Sequence, residues 1–172
     1  EDYYGNVNCF GPRACYDEGK RIAETLCYNF HKKFKIDIRI PRIFNTYGPK
    51  MIIDDGRVVT NFISRSLKNQ DIEIYGDGEQ TRSFCYIDDL IEGLLKIYFL
   101  DQKALNEPLN IGNPIEFKIK DLAKLIIELT GSSSKIIYKK LPENDPLRRK
   151  PNIDKAKKLL NWEPNISLKE GL

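Results

Sequence analysis

At 172 residues, with 41% hydrophobic and 31% charged side chains, the chain has the make-up of one globular domain large enough to bury a core. A net charge of +3 with both signs interspersed argues against nucleic acid as a partner, and no apolar run reaches membrane-spanning length. Four cysteines without a Cys-x-x-Cys pair, and a single histidine, His31, argue against a zinc site or a disulfide framework. Reduced thiols and no metal are therefore expected.

The first residues, Glu1-Asp2-Tyr3-Tyr4-Gly5, lack the make-up of a signal peptide, and residues 1–14 read as irregular, punctuated by Gly5, Gly11 and Pro12. A helix is expected from Ala14 to Lys33, with Ile22, Ala23, Leu26, Cys27 and Phe30 at helical spacing. Tyr16 and Lys20 stand four apart on it, which puts the phenol and the ammonium on one face. An ammonium so placed favours the phenolate, which lets a tyrosine exchange a proton at neutral pH. Such pairs also arise by chance on many helices, so the spacing alone does not establish catalysis.

Ile36, Ile38 and Ile40 alternate with polar residues and predict a strand running on into Ile43 and Phe44. Asn45-Thr46-Tyr47-Gly48-Pro49 reads as a loop, and Asp55-Gly56 as a turn. A helix is expected from Val58 to Leu67, then a short strand from Ile72 to Tyr75, turned by Gly76-Asp77-Gly78. Residues 83–87 read as extended, and Asp88 or Asp89 as the cap of a helix ending near Leu100. Leu109 to Gly112 reads as a strand and Lys118 to Leu129 as an amphipathic helix stopped by Gly131. Lys135 to Lys139 is a further strand, residues 142–151 are irregular and charged, and Ile153 to Leu160 is a small helix. Alternating helices and strands make the class α/β. About five short strands with no strand before the first helix suggest a chain that enters its fold partway through.

Gly11-Pro12-Arg13-Ala14-Cys15-Tyr16-Asp17-Glu18-Gly19-Lys20-Arg21, Arg42-Ile43-Phe44-Asn45-Thr46-Tyr47-Gly48-Pro49 and Asp55-Gly56-Arg57-Val58-Val59-Thr60-Asn61-Phe62 follow in that order. Tyr75-Gly76-Asp77-Gly78-Glu79-Gln80-Thr81-Arg82-Ser83-Phe84, Asp145-Pro146, Arg149-Lys150-Pro151 and Trp162-Glu163-Pro164 continue the series. Together they resemble the UDP-glucuronate decarboxylases (UDP-xylose synthases) of the extended short-chain dehydrogenase/reductase superfamily, through nearly the whole chain. The resemblance implies the C-terminal part of an NAD(P)-binding Rossmann-type fold with a small substrate-binding lobe. Residues 1–48 would end the cofactor-binding domain, and 49–172 would form mostly the sugar-nucleotide lobe with segments returning to the main sheet.

The reaction so implied oxidises UDP-glucuronate at sugar C4 with bound NAD, releases CO₂ from the resulting β-keto acid, and re-reduces C4 to give UDP-xylose. Tyr16, Lys20 and Arg57 would be catalytic; Tyr16, Lys20 and Thr46 would meet the cofactor. Asn45, Arg57, Asn61, Tyr75, Gln80, Arg82 and Arg149 would hold the sugar nucleotide, with Arg148 standing one position from Arg149. Taken without the resemblance, Arg57 is a solvated loop charge, Arg82 a cross-strand surface charge and Tyr75 a core strand residue.

Two departures are visible. Asn152 stands where the family usually has Asp. The glycine-rich turn that receives the cofactor pyrophosphate is absent, and Gly76-Asp77-Gly78 lacks the third glycine and the following helix needed to replace it. The chain is thus expected to be a C-terminal fragment, inactive alone, and the resemblance implies a homodimeric enzyme, with cytoplasm and Golgi both left open as its compartment. A 4,6-dehydratase or 4-epimerase of the same superfamily, or a non-catalytic sugar-nucleotide-binding remnant, are the alternative readings.

Overall fold

The computed structural model describes residues 8–12, 14–53, 55–101, 107–141 and 148–172. The expectations for residues 1–7 and 142–147, Asp145-Pro146 among them, and for Arg13 lie outside this set. Six helices and nine short strands are described: α1 (Ala14–Phe34), β1 (Pro41–Ile43), β2 (Thr46–Tyr47), α2 (Val58–Leu67), β3 (Ile72–Tyr75), β4 (Thr81–Ser83) and β5 (Cys85–Tyr86). Then come α3 (Ile87–Phe99), β6 (Leu109–Ile111), β7 (Glu116–Lys118), α4 (Ile119–Thr130), β8 (Ile136–Lys139), β9 (Arg148–Arg149), α5 (Asp154–Leu160) and α6 (Leu168–Gly171). The α/β class expected from the alternation of elements is what the chain adopts.

Pairing is mostly parallel and mostly long-range. β1 pairs with β6, β2 with β5, and β3 with β8, all parallel, while β4 lies between antiparallel β7 and parallel β9. Two buried clusters result. Tyr47, Phe62, Ile72, Ile74, Phe84, Leu122 and Ile126 fill the first, where α2 and α4 close over β3. Cys85, Leu90, Ile97, Leu109, Ile111, Ile153 and Trp162 fill the second, between α3, α5 and β6. Burial pushes the Cys85 thiol up to about 12, and the nearby Asp89 carboxylate adds to it, so this cysteine is an inert core residue.

Several expectations are corrected. The alternating run 36–40 is not a strand; pairing starts only at the Leu109 N–H, which donates to the Ile40 carbonyl at 2.9 Å. Among the described residues β6 offers three positions, all used by Pro41–Ile43. Arg39 instead donates to the carbonyls of Ile97 and Leu100, satisfying the exposed end of α3 (3.1 and 2.8 Å). The loop read at 45–49 contains β2, because Thr46 and Tyr47 find partners in Cys85 and Tyr86. Strands β4, β7 and β9 and helix α6, too short to show periodicity, were not foreseen.

Asp88 and Asp89 do not cap α3. The N-cap is Tyr86, with no side-chain bond, and both aspartates sit in the first turn. Asp89 is buried and turns away from its own helix: its carboxylate accepts the backbone N–H groups of Asn165 and Ile166 (3.1 and 3.0 Å). Its carbonyl takes the indole N–H of Trp162 at 3.0 Å. One residue thus clips the C-terminal segment onto α3. Asn152, the departure noted above, makes a local side-chain turn just before α5, whose N-cap is Ile153: its Oδ1 accepts the Asp154 N–H at 2.8 Å.

Gly131 ends α4 in the left-handed region as expected (φ 61°). Gly78 also needs its missing side chain, since at φ 77° a Cβ would come 2.9 Å from Lys120 Cβ.

Replacing Asp89 with Ala leaves two part-buried N–H groups without their carboxylate acceptor, an expected loss of about 2–3 kcal/mol. Thermal unfolding followed by circular dichroism should fall by roughly 4–10 °C, and limited proteolysis should cut residues 161–172 first.

Candidate active site

Helix α1 presents Tyr16, Lys20, Ala23, Glu24 and Cys27 along one side, as residues three or four apart must. That side forms one wall of a cleft of about 1280 Å³. The floor is residues 40–46, where β1 emerges beside β6, and the far wall holds Arg57, Phe84, Arg82, Arg148 and Arg149. Lys20 Nζ lies 5.4 Å from the centre of the Tyr16 ring, a cation–π placement that keeps both polar ends at the cleft. Tyr16 is more than half exposed.

Of the residues singled out in the sequence, Tyr16, Lys20, Asn45, Thr46, Arg57, Arg82 and Arg149 line this cleft. Asn61, Tyr75 and Gln80 do not. Asn61 lies in α2, its N–H bonded to the Arg57 carbonyl. Gln80 reaches across the glycine turn to donate to the Tyr75 carbonyl at 2.5 Å, stapling the exit of β3. Thr46 donates its hydroxyl to the Phe44 carbonyl at 2.9 Å, which leaves that oxygen able to act as an acceptor. Arg57 opens α2; its N–H is received by Asp55 Oδ1 at 2.9 Å, and its guanidinium pairs with the same carboxylate at 3.3 Å.

The arginines are set by strand geometry. Arg82 and Arg149 are partners in the β4–β9 register, so they share a sheet face, while Thr81 and Arg148 share the other. On that second face Glu116 of β7 gathers the sheet together. Its Oε1 accepts from Thr81 Oγ1 and from Arg148 Nε (both 2.8 Å), and its Oε2 accepts from Arg148 Nη2 at 2.6 Å. Arg148 is thereby committed to a forked pair. The Arg148 guanidinium and the Thr81 hydroxyl hold the Glu116 carboxyl down to about 2.

Sequence reasoning missed Glu116, Glu24 and Arg42. Glu24 could have been found, since it continues the Tyr16–Lys20 series by another four residues. Glu116 carried no local signal at all.

The sequence profile of the NAD dependent epimerase/dehydratase family matches residues 2–112. The chain belongs to that family. Across all 172 residues it is 51% identical to UDP-glucuronic acid decarboxylase 1 of Arabidopsis thaliana and 50% identical to UDP-glucuronic acid decarboxylase 1 of Xenopus tropicalis. It spans 39% and 40% of the length of those two relatives. Among solved structures it is similar to a UDP-glucuronic acid 4-epimerase from Bacillus cereus in complex with UDP-glucuronic acid and NAD. There identity is 31% and the TM-score 0.86, over 98% of this chain and 55% of that one. It is likewise similar to a UDP-glucose 4-epimerase of Thermotoga maritima with UDP-glucose (31% identity, TM-score 0.88, 98% of this chain and 57% of that one). The fold is therefore that of the extended short-chain dehydrogenases/reductases, and the family's cofactor is NAD.

The donor set fits one end of that cofactor: a lysine ammonium, a tyrosine hydroxyl and a threonine hydroxyl suit a ribose and a carboxamide. A glycine-rich turn for the pyrophosphate is not part of this sequence.

Because the Glu116 carboxyl is depressed in the folded chain, its contribution to stability is present above the ordinary carboxylate pKa and lost as pH falls towards about 2. Wild type and Glu116→Gln should differ in melting temperature above about pH 5 and converge near pH 2, as a pH series of thermal melts would read.

Proposed function

We propose that this chain is the part of a UDP-glucuronate decarboxylase that carries its tyrosine–lysine pair and most of its sugar-nucleotide site. On this reading it acts together with a preceding glycine-rich half. The observation that carries the reading is the composition of this cleft: a tyrosine and a lysine from α1, with Arg57, Arg82 and Arg149 in the same lining. A substrate with a carboxylate on the sugar and a diphosphate beyond it needs that distribution of fixed positive charge. The near-50% identity to decarboxylases over all 172 residues supports the same substrate. Residues 1–48 would then close the cofactor domain and 49–172 form mostly the sugar-nucleotide lobe.

NAD, when bound beside Tyr16, Lys20 and Thr46, supplies reversible hydride acceptance at sugar C4. Tyr16 Oη takes the C4 hydroxyl proton as the carbonyl forms and returns it when the hydroxyl is restored. Lys20 hydrogen-bonds the ribose and offsets the negative charge left on the phenolic oxygen. Loss of CO₂ breaks the C5–C6 bond, and its electron pair moves into the C4 carbonyl as an enolate. The Arg57 guanidinium stabilises that oxygen, and a proton is then taken up at C5. Asn45 orients the sugar. Arg82 and Arg149 neutralise the diphosphate; Asn61, Tyr75 and Gln80 lie outside this cleft lining, so contacts from them to the UDP-sugar would have to be made beyond it.

A second reading, 4-epimerisation, is favoured by the Bacillus cereus neighbour, whose substrate complex contains UDP-glucuronic acid. The products differ: UDP-xylose with release of CO₂ in one case, UDP-galacturonate with none in the other.

A homodimer is also part of the proposal. No residue of α1 is buried, and Ile22, Leu26 and Phe30 are about half exposed along it, an apolar surface that supports burial in the complete assembly. Light scattering of the full-length protein should give twice the subunit mass.

Incubated with UDP-glucuronate and NAD, the full-length protein should yield UDP-xylose by NMR. Tyr16→Phe should lower kcat by about 10²–10⁴-fold with substrate affinity little changed. Formation of UDP-galacturonate, or unchanged turnover in the variant, would overturn the assignment.

A further inference from the structure

Helix α1 is held unusually for an element that bears a reactive pair. None of its 21 residues is buried within the described residues, and the apolar surface along Ile22, Leu26 and Phe30 is left for the complete assembly to cover. Among its described contacts, a forked ion pair joins it to the sheet. Arg42 of β1 donates from Nε to Glu24 Oε1 and from Nη2 to Glu24 Oε2, both at 2.7 Å. The two side chains are only 22% and 29% exposed, which shields the pair from solvent. At the far end of the helix, the His31 ring contacts the Ile36 carbonyl at 2.7 Å, a local latch beyond the cleft.

Glu24 follows Lys20 by one turn and Tyr16 by two, on the side of the helix that lines the cleft. Arg42 stands three residues before Asn45 and, in the β1–β6 register, opposite Asn110. The pair therefore connects the wall carrying Tyr16 and Lys20 to the floor carrying Asn45 and Thr46. Two parallel hydrogen bonds in one plane restrict rotation about the helix axis as well as sliding along it, which a single contact does not.

We propose that Glu24 and Arg42 are positioning residues whose forked pair sets the axial register and rotation of α1, and hence the placement of Tyr16 and Lys20 against a sugar seated on the cleft floor. The inference rests on the function proposed above. Tyr16 lies about 12 Å along the helix from Glu24, at ~1.5 Å per residue. A tilt of roughly 5° at the pair moves the tyrosine by about 1 Å, enough to cost on the order of 10²-fold in rate. Both carboxylate oxygens of Glu24 are engaged by Arg42, which makes this glutamate a fastening rather than a base.

The test uses full-length protein carrying Glu24→Gln, Arg42→Lys, and the exchange of both residues (Glu24→Arg with Arg42→Glu). Each single variant should lower kcat by about 10–100-fold while KM for UDP-glucuronate stays within about twofold, because Arg82 and Arg149 on the opposite wall are untouched. The exchange, which restores opposite charges across the same gap, should recover most of the lost kcat. Hydrogen exchange across residues 14–34 should quicken in the single variants and slow again in the exchange. Unchanged kcat, a KM that rises in step with the loss, or an exchange no better than the sum of its singles would each overturn the positioning role. If wild type gives no UDP-xylose, the functional reading fails. Hydrogen exchange then still decides the fastening: unchanged protection of 14–34 in Glu24→Gln overturns it, and faster exchange reversed by the exchange supports it.

Discussion

The extended run at 81–86 is the constraint on which the rest of the chain depends. Side chains of an extended backbone alternate between faces, and here every alternation is used. Thr81 faces the Glu116 carboxylate and Arg82 shares a face with Arg149. Phe84 enters one buried cluster and Cys85 the other. The same six residues supply β4, flanked by β7 and β9, and β5, which pairs with β2. A shift of one residue would turn an arginine into the core and a phenylalanine onto the sheet face that carries Thr81, so the register of both halves is set together.

Charge is divided between two jobs in this molecule. Carboxylates fasten backbone elements to one another: Glu116 ties β7, β4 and β9, Glu24 ties α1 to β1, and Asp89 ties the C-terminal segment to α3. Arginines line the wall of the cleft opposite Tyr16 and Lys20. The division has a physical basis. A carboxylate accepting from fixed donors gains hydrogen bonds without needing a counter-ion in the cleft. A guanidinium has five donors and a permanent charge, so an arginine at the cleft can take an anionic ligand in addition to the partners it has. One carboxylate appears on both sides of the ledger, since Asp55 holds Arg57 at the start of α2 while leaving that side chain two-thirds exposed.

Helices were the most legible part of the fold. Those at 58–67 and 119–130 were readable almost to the residue, because apolar spacing and the stop at Gly131 are local signals. Strands of two or three residues were not, since they are too short for a period of two to register; β4, β7 and β9 exist because partners are brought alongside. The run 36–40 shows the opposite error. Its alternation was good, but among the described residues β6 ends before reaching it, and a strand without a neighbour has no ladder to join. Within the cleft, Tyr16, Lys20, Asn45, Thr46 and Arg57 were legible through motif and resemblance. Asn61, Tyr75 and Gln80 were read from the same resemblance and lie away from that lining.

By itself the sequence determined the helix that carries Tyr16 and Lys20 on one face, the turn glycines, the α/β class and the family, because each depends on neighbours within a few residues or on an ordered string of motifs. Only the tertiary structure decided which charge meets which. Glu116 and Arg148 are 32 residues apart, Glu24 and Arg42 are 18 apart, and Asp89 reaches residues 76 and 77 positions away. Such contacts come from chain crossing and parallel pairing between distant segments, and no local periodicity encodes them.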